Sequence, residues 1–146
     1  MADPAAEHGV REAIERLHTA MNRVVAGDVS AIKALYSHRD DVSAFYGWGG
    51  YQTGWEAVSR RWDWAARQFK AGGQVSYEPL TTIVTAELAY TTAIETIQSG
   101  LAGVTGPAQW SNRVTHVFRL EAGEWRLVHR HANRLEAQYE PSTRLG

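Results

Sequence analysis

The sequence contains no cysteine and no long hydrophobic run, and each absence excludes a class of protein. Without cysteine there is no disulfide framework, thiol nucleophile or thiolate metal site. No apolar run approaches the roughly 18 residues of a membrane helix. The N-terminal MADPAAEHG also lacks the basic and apolar regions of a signal peptide. These features predict a cytoplasmic protein with no membrane partner.

A surplus of charge of one sign is also lacking. The 15 lysines and arginines are scattered along the chain and nearly balanced by 16 acidic residues, which gives a formal net charge of −1. Nucleic acids and anionic membranes are bound by clustered basic side chains. We therefore expect no nucleic-acid partner.

Apolar bulk, by contrast, is plentiful, because 44% of the 146 residues are hydrophobic and six are tryptophan. That is enough for one core of ordinary size, and no repeat or linker divides the chain. We predict a single domain over residues 1–137 and a polar tail over residues 138–146.

Apolar residues at helical spacing predict three helices in the first half of the chain. The first two cover about residues 4–26 and 29–37. The third begins at a capping box formed by Thr53 and Glu56 and ends at residues 71–73, which include two glycines. Between the second and third helices we expect a short strand and then a flexible glycine-rich loop.

Four extended segments follow the helices and are joined by short or glycine-containing turns, at about residues 74–85, 88–99, 108–121 and 124–137. Such a succession predicts an antiparallel meander. The sequence therefore predicts an α+β fold, with three N-terminal helices packed on one face of a strongly curved, mainly antiparallel sheet.

The last two segments form a hairpin whose turn, residues 121–124, contains a glycine that can adopt positive φ. If Glu121 pairs with Glu124, then His116 lies opposite His129 and Val114 opposite His131. Strand alternation then places all three histidines on the same inner face of the sheet.

The preceding strand adds a carboxylate to that face. If Glu95 pairs with Asn112, then Thr91 lies opposite His116, and the small residues between them leave room for a ligand. A buried carboxylate must find a hydrogen-bond donor or hold its proton, and either state is useful in acid/base chemistry. We predict His116, His129, Glu95 and Asn112 as the catalytic group.

A second set of residues is predicted to contact the substrate: Tyr46, Trp48, Trp55, Trp62, Thr91, Trp110 and His131. Of these, Tyr46 and Trp62 are expected in the wall and Trp48 at the rim, beside Tyr51. Trp64 falls on the polar side of its helix, where it indicates either ordinary exposure or a subunit contact.

Other interpretations of these residues stay open at the level of sequence. Inward histidines beside a tryptophan are often hydrogen-bonded core residues. His129 and His131 are also spaced as a pair of metal ligands, although this signal is weak. We predict no metal and no other cofactor.

The order of elements, ending in Gly-x-Trp-Arg-Leu-Val-His-Arg-His, resembles the NTF2-like superfamily and, within it, the SnoaL-like and DUF4440 branch. The resemblance covers nearly the whole chain. It implies a cone with a pocket at its wide end, usually in a homodimer. The superfamily includes ketosteroid isomerases, polyketide cyclases, dehydratases, epoxide hydrolases and members that only bind or assemble, so the fold does not give the reaction.

The residues that ketosteroid isomerases use are not retained. The position of their catalytic aspartate falls at Tyr46, and that of their helix-1 tyrosine near Ala20. The oligomerising hub domain of calmodulin-dependent kinase is also similar in the final hairpin. Its pocket arginines fall at Glu95 and His116, where this chain carries different charges.

The function that the sequence favours is a SnoaL-like acid/base enzyme of isomerase, cyclase or dehydratase type, acting on a small hydrophobic carbonyl or hydroxyl compound. In it, His116 or His129 is the base, Glu95 the second acid/base or its orienter, and Asn112 and Tyr46 donate to a developing oxyanion. The alternative is a non-catalytic small-molecule-binding or oligomerisation module. In both cases we expect a homodimer that uses part of the outer sheet face.

Overall fold

The computed structural model describes residues 3–136, apart from the side chain of Ala71. It contains the three predicted helices, α1 (Pro4–Val24), α2 (Ser30–Leu35) and α3 (Trp55–Ala66). In α1 the buried residues recur at helical spacing and form the stripe that packs on the sheet. The predicted tail, residues 138–146, lies outside the described residues.

The start of α3 differs from the prediction. Its N-cap is Gly54, with φ of 82°, and no side chain caps the helix. Thr53 pairs with Ser43 in a strand, so it is not at the cap position that a capping box needs. The predicted capping box is therefore wrong.

Six strands form one sheet: β1 (Ser43–Phe45), β2 (Tyr51–Thr53), β3 (Phe69–Val84), β4 (Leu88–Leu101), β5 (Pro107–Glu121) and β6 (Glu124–Arg134). Their order is β2-β1-β6-β5-β4-β3. The last four form the predicted antiparallel meander, and β1 runs parallel to β6. The predicted glycine-rich loop is shorter than expected, because its last residues pair with β1 as β2.

The helices and the inner face of this curved sheet enclose the core, which confirms the predicted α+β fold. Leu17 and Ile32 from the helices and Phe118 and Leu127 from the sheet are almost completely buried in it. No helix among residues 3–136 is long and apolar enough to cross a membrane.

The final hairpin has the predicted turn but not the predicted register. Ala122 and Gly123 both have positive φ, as a tight two-residue turn requires. The expected pairing holds from the turn to Phe118 and Leu127. The next partners are Val117 and His129, so one extra residue stands in β6. This irregularity is a β-bulge.

The bulge reverses the faces of every residue that follows it, because side chains alternate along a strand. His116 therefore lies opposite Arg130, not His129, and Thr115 lies opposite His131. Arg130 turns inward, whereas both histidines turn outward beside Phe45. The predicted inner position of His129 and His131 is wrong. The bulge allows the adjacent apolar residues Leu127 and Val128 both to be buried.

Candidate functional site

The inner face of the meander carries a buried polar cluster where β4, β5 and β6 lie side by side. Glu95 pairs with Asn112 and Thr91 with His116, which confirms the predicted register between β4 and β5. The bulge adds Arg130 to this face, directly opposite His116. These side chains are at least nine-tenths buried.

Glu95 accepts hydrogen bonds from three neighbouring side chains. Arg130 donates to both carboxylate oxygens, from Nη1 to Oε2 and from Nη2 to Oε1, each over 2.8 Å. Tyr77 Oη donates at 2.6 Å and Asn112 Nδ2 at 3.1 Å. Burial alone would raise the pKa of Glu95, but the charge of Arg130 and these hydrogen bonds outweigh it and lower the pKa to about 2. Glu95 is thus an ionised carboxylate with a paired counter-charge.

His116 is held neutral by the same arginine. Its Nε2 lies 2.9 Å from Arg130 Nη1. Since a guanidinium can only donate, Nε2 accepts and the ring proton is on Nδ1. Burial and the positive charge of Arg130 lower the pKa of His116 to about 3. A neutral ring is therefore built into the cluster.

A cavity of about 270 Å³ opens next to this cluster, between the helices and the sheet. Most of its lining is apolar or aromatic: Met21, Val24, Tyr46, Gly47, Trp48, Trp62, Trp64, Ala65, Gln68, Phe69, Ile97, Leu101, Ala102, Val104, Trp110, Asn112, Arg130 and Arg134. Asn112 and Arg130 thus belong to both the cluster and the cavity. Glu95 and His116 lie behind them and are not among the lining residues.

Three lining residues each carry a buried polar atom without a hydrogen-bond partner among the described residues. They are the hydroxyl of Tyr46, the indole Nε1 of Trp62 and the amide Oδ1 of Asn112. Buried polar atoms are nearly always hydrogen-bonded, so three unpartnered atoms in one wall are unusual. Burial raises the pKa of Tyr46 to about 12, which keeps its phenol protonated.

Stacked side chains hold the aromatic wall in place. Trp48 stacks on Tyr46 with ring centroids 4.8 Å apart and contacts Trp64 at 5.4 Å. Arg61 covers the Trp64 ring at 3.9 Å, and Arg134 lies 5.1 Å from the Trp110 ring. In such cation–π contacts the guanidinium is attracted to the face of the ring. Trp64, expected on the polar side of its helix, is therefore part of the wall.

Of the predicted substrate-binding residues, Tyr46, Trp48, Trp62 and Trp110 line the cavity. Trp55, Thr91 and His131 do not. Trp55 stacks on His38 at 4.0 Å, and His131 packs against Phe45 on the outer face. His129 also lies on that face, where its Nδ1 is 2.7 Å from Ser43 Oγ.

The sequence interpretation missed Arg130 and Tyr77. The adjacent apolar pair Leu127 and Val128 breaks the alternation of β6 and could have indicated the bulge. A buried Glu95 also requires a donor, which could have directed attention to the arginines of the neighbouring strands.

Comparison with known proteins assigns the family. The sequence matches the SnoaL-like domain over residues 10–133. The chain belongs to the SnoaL-like domain family. No curated protein matches this SnoaL-like chain in sequence.

Solved structures show the same fold at low sequence identity. An NTF2-like superfamily protein from Salmonella enterica serovar Typhimurium LT2 superposes with a TM-score of 0.80 at 14% identity, covering 95% of this chain and 97% of that one. A candidate dehydratase of the NTF2-like family from Streptomyces avermitilis gives a TM-score of 0.72 at 21% identity, covering 90% and 97%.

A ketosteroid isomerase-like protein from Erwinia carotovora atroseptica SCRI1043 gives a TM-score of 0.74 at 15% identity, with 89% of this chain and 96% of that one covered. At these identities the likeness establishes the fold of this SnoaL-like chain and leaves its reaction open.

Proposed function

We propose that this SnoaL-like chain is an acid/base enzyme of isomerase, cyclase or dehydratase type. Its substrate is a small hydrophobic compound with a carbonyl or hydroxyl oxygen, bound in the tryptophan-lined cavity. The observation that carries the proposal is the combination of an apolar wall, three unpartnered polar atoms and a buried arginine around one cavity. Enzyme sites commonly combine an apolar pocket with a few convergent polar groups.

Tyr46 and Arg130 are the groups that can stabilise negative charge on a substrate oxygen. Tyr46 keeps its proton at neutral pH because burial raises its pKa to about 12. Arg130 is a fixed cation whose position is set by its two bonds to Glu95. Preorganised donors of this kind stabilise a developing oxyanion without reorganising during the reaction.

Glu95 and His116 act in this proposal through Arg130. Both Glu95 oxygens and the His116 Nε2 are already hydrogen-bonded to it. They therefore hold the guanidinium against the cavity, as a supporting shell does in a preorganised site. The predicted role of His116 or His129 as the base stays a prediction, and His129 lies on the outer face of the sheet.

The experiment is a screen of small aromatic and alicyclic ketones, enols and alcohols for turnover, followed by Tyr46→Phe on any substrate found. Loss of one oxyanion donor should lower kcat by about 10²- to 10³-fold. Tyr51→Phe is the matched control, because Tyr51 is 67% exposed and does not line the cavity. Equal turnover by the Tyr46→Phe variant and the unmodified protein would refute the role of Tyr46.

A second candidate, a non-catalytic binding module, is favoured by one observation. The titratable pair Glu95 and His116 is partnered inside the protein and does not line the cavity. Compounds that bind tightly but are recovered unchanged after prolonged incubation would support the module over the enzyme.

The proposed assembly is a homodimer through the outer sheet face. Ile83, Leu88 and Tyr90 are 41–50% exposed there, and Ile83 pairs with Tyr90 across β3 and β4. Such an apolar patch favours an interface. Sedimentation equilibrium at micromolar concentration tests it, and a monomer would contradict the proposal. The cytoplasmic location stays a prediction.

A further inference from the structure

Resting on the proposed ligand cavity, we infer that its ligand is an anion, a small aromatic or alicyclic carboxylate, and that Arg134 binds the carboxylate group at the mouth of the cavity. The chain as a whole is nearly neutral, with a formal net charge of −1. Its charges are nevertheless unevenly placed, and the cavity lies where positive charge is in excess.

The mouth of the cavity is formed by lining residues that solvent can reach. Trp48 and Val104 are 44% and 46% exposed, and Arg134 is exposed as well. All three line the cavity. Arg130 also lines it but is only 4% exposed. A ligand that enters the cavity therefore meets Arg134 first, and Arg130 marks the inner end.

The two arginines lie on the same face of β6 but differ in their partners. Arg130 is opposite His116 and Arg134 is opposite Asn112, so about 13 Å of strand separates them. The charge of Arg130 is compensated by its salt bridge to Glu95. Within residues 3–136, Arg134 has no carboxylate partner, so the uncompensated positive charge is at the mouth.

Acidic side chains are missing from the surroundings of the cavity. None of its lining residues is an aspartate or a glutamate. Most of the lining comes from residues 42–55, 64–77 and 96–120, and these three segments contain no acidic residue. Two further cations contact lining residues: Lys70 Nζ donates to the Val104 carbonyl at 2.9 Å, and Arg61 lies 3.9 Å from the Trp64 ring. A cleft surrounded by charge of one sign concentrates ligands of the opposite sign.

Arg134 presents its guanidinium in a form that suits a carboxylate. Its Cζ lies 5.1 Å from the centroid of the Trp110 ring, which lines the cavity. The N–H groups form no side-chain hydrogen bond within residues 3–136 and are available to an acceptor. A planar carboxylate accepts two parallel bonds from such a group. The aromatic wall can then hold the apolar part of the same ligand.

The test compares three compounds of similar size that differ in charge at pH 7.5: 3-phenylpropanoate, 3-phenylpropanamide and 3-phenylpropylamine. Dissociation constants are measured by isothermal titration calorimetry at low salt, where exposed charges are least screened. We expect the carboxylate to bind at least about fivefold more tightly than the neutral amide, as a charge-assisted bond to a partly solvated arginine allows. The amine should bind most weakly.

Matched variants assign this preference to Arg134. Arg134→Met keeps an unbranched side chain beside Trp110 but removes the charge, so the carboxylate and the amide should bind within about twofold of each other. Arg134→Lys keeps the charge and should retain part of the preference. Arg113→Met is the control, because it removes the same charge from an exposed residue that does not line the cavity. It should keep the full preference.

The outcomes distinguish this inference from the function on which it rests. If the compounds bind but the amide or the amine binds as tightly as the carboxylate, the inference is overturned and the cavity remains a binding site. A preference that survives in Arg134→Met overturns the assignment to Arg134. If none of the three compounds binds, both the inference and the proposed cavity ligand are contradicted. Should Arg134→Met fail to fold, the charge series on the unmodified protein and on Arg134→Lys still decides the matter.

Discussion

Replacing His116 by glutamine should reduce the decrease in the free energy of unfolding that this protein shows as the pH falls. His116 is completely buried, and its neutral ring accepts a hydrogen bond from Arg130. Burial and the Arg130 charge lower its pKa from 6.5 to about 3. Glutamine keeps an acceptor for Arg130 but does not titrate. The comparison therefore isolates the effect of the proton that His116 binds in the unfolded chain but not in the folded protein.

The direction follows from proton linkage. Between about pH 6.5 and pH 3 the unfolded chain binds a proton at His116 and the folded chain does not, so stability falls as the pH falls. With these pKa values the loss between pH 7.5 and pH 5 is about 2 kcal/mol. Glu95, whose pKa is also lowered, acts in the same direction but only below about pH 4.5.

The assay is urea unfolding at pH 7.5, 6.5, 5.5 and 5.0, with the free energy of unfolding of each protein extrapolated to water. The unmodified protein should lose about 2 kcal/mol more than the His116→Gln variant over this range. His18 and His129 also have lowered pKa values, but they are present in both proteins and their effects cancel. His8→Gln, which removes an exposed histidine from α1, is the control. Parallel curves for the unmodified protein and His116→Gln would refute a buried neutral ring.

Two further substitutions and one deletion test other contacts of the fold. Glu95→Gln should destabilise the protein by about 3–5 kcal/mol, because it leaves Arg130 as a buried charge without a counter-charge; an unchanged urea midpoint would contradict the ion pair. Gly9→Ala should lower the melting temperature although alanine favours helices by about 1 kcal/mol, since its Cβ would lie 2.6 Å from Trp125 Cδ1; a higher melting temperature would contradict this packing. Deletion of Val128 should lower the melting temperature and leave the protein folded, because a buried side chain is lost while Leu127 and His129 keep their partners Phe118 and Val117; loss of the native circular dichroism spectrum would contradict this register.

The fold was predictable because its signals are local. The three helices and the meander follow from periodicity within short windows. The pairing of Glu95 with Asn112 was also predictable, because the connection between β4 and β5 is short and the alternation on both strands is regular. The family resemblance pointed to the same architecture.

The site was only partly predictable because a shift of one residue in the register of β6 changes which side chains face it. Alternation alone does not reveal where an extra residue is inserted, and in β6 the bulge exchanges His129 for Arg130 on the inner face. The role of Trp64 was hidden for a different reason. Its helical position is polar in sequence, but its ring meets Trp48 from the loop between β1 and β2, a contact that helical periodicity does not reveal.

The bulge and the buried carboxylate depend on each other. If Val128 paired with Val117 in a regular ladder, His129 and His131 would take the inner positions and Glu95 would have no permanent cation, so burial would favour its protonated form. A protonated Glu95 could donate a hydrogen bond to Asn112 Oδ1, and the amide would then be reversed. The bulge therefore fixes the charge of Glu95 and, through that charge, the orientation of the Asn112 amide.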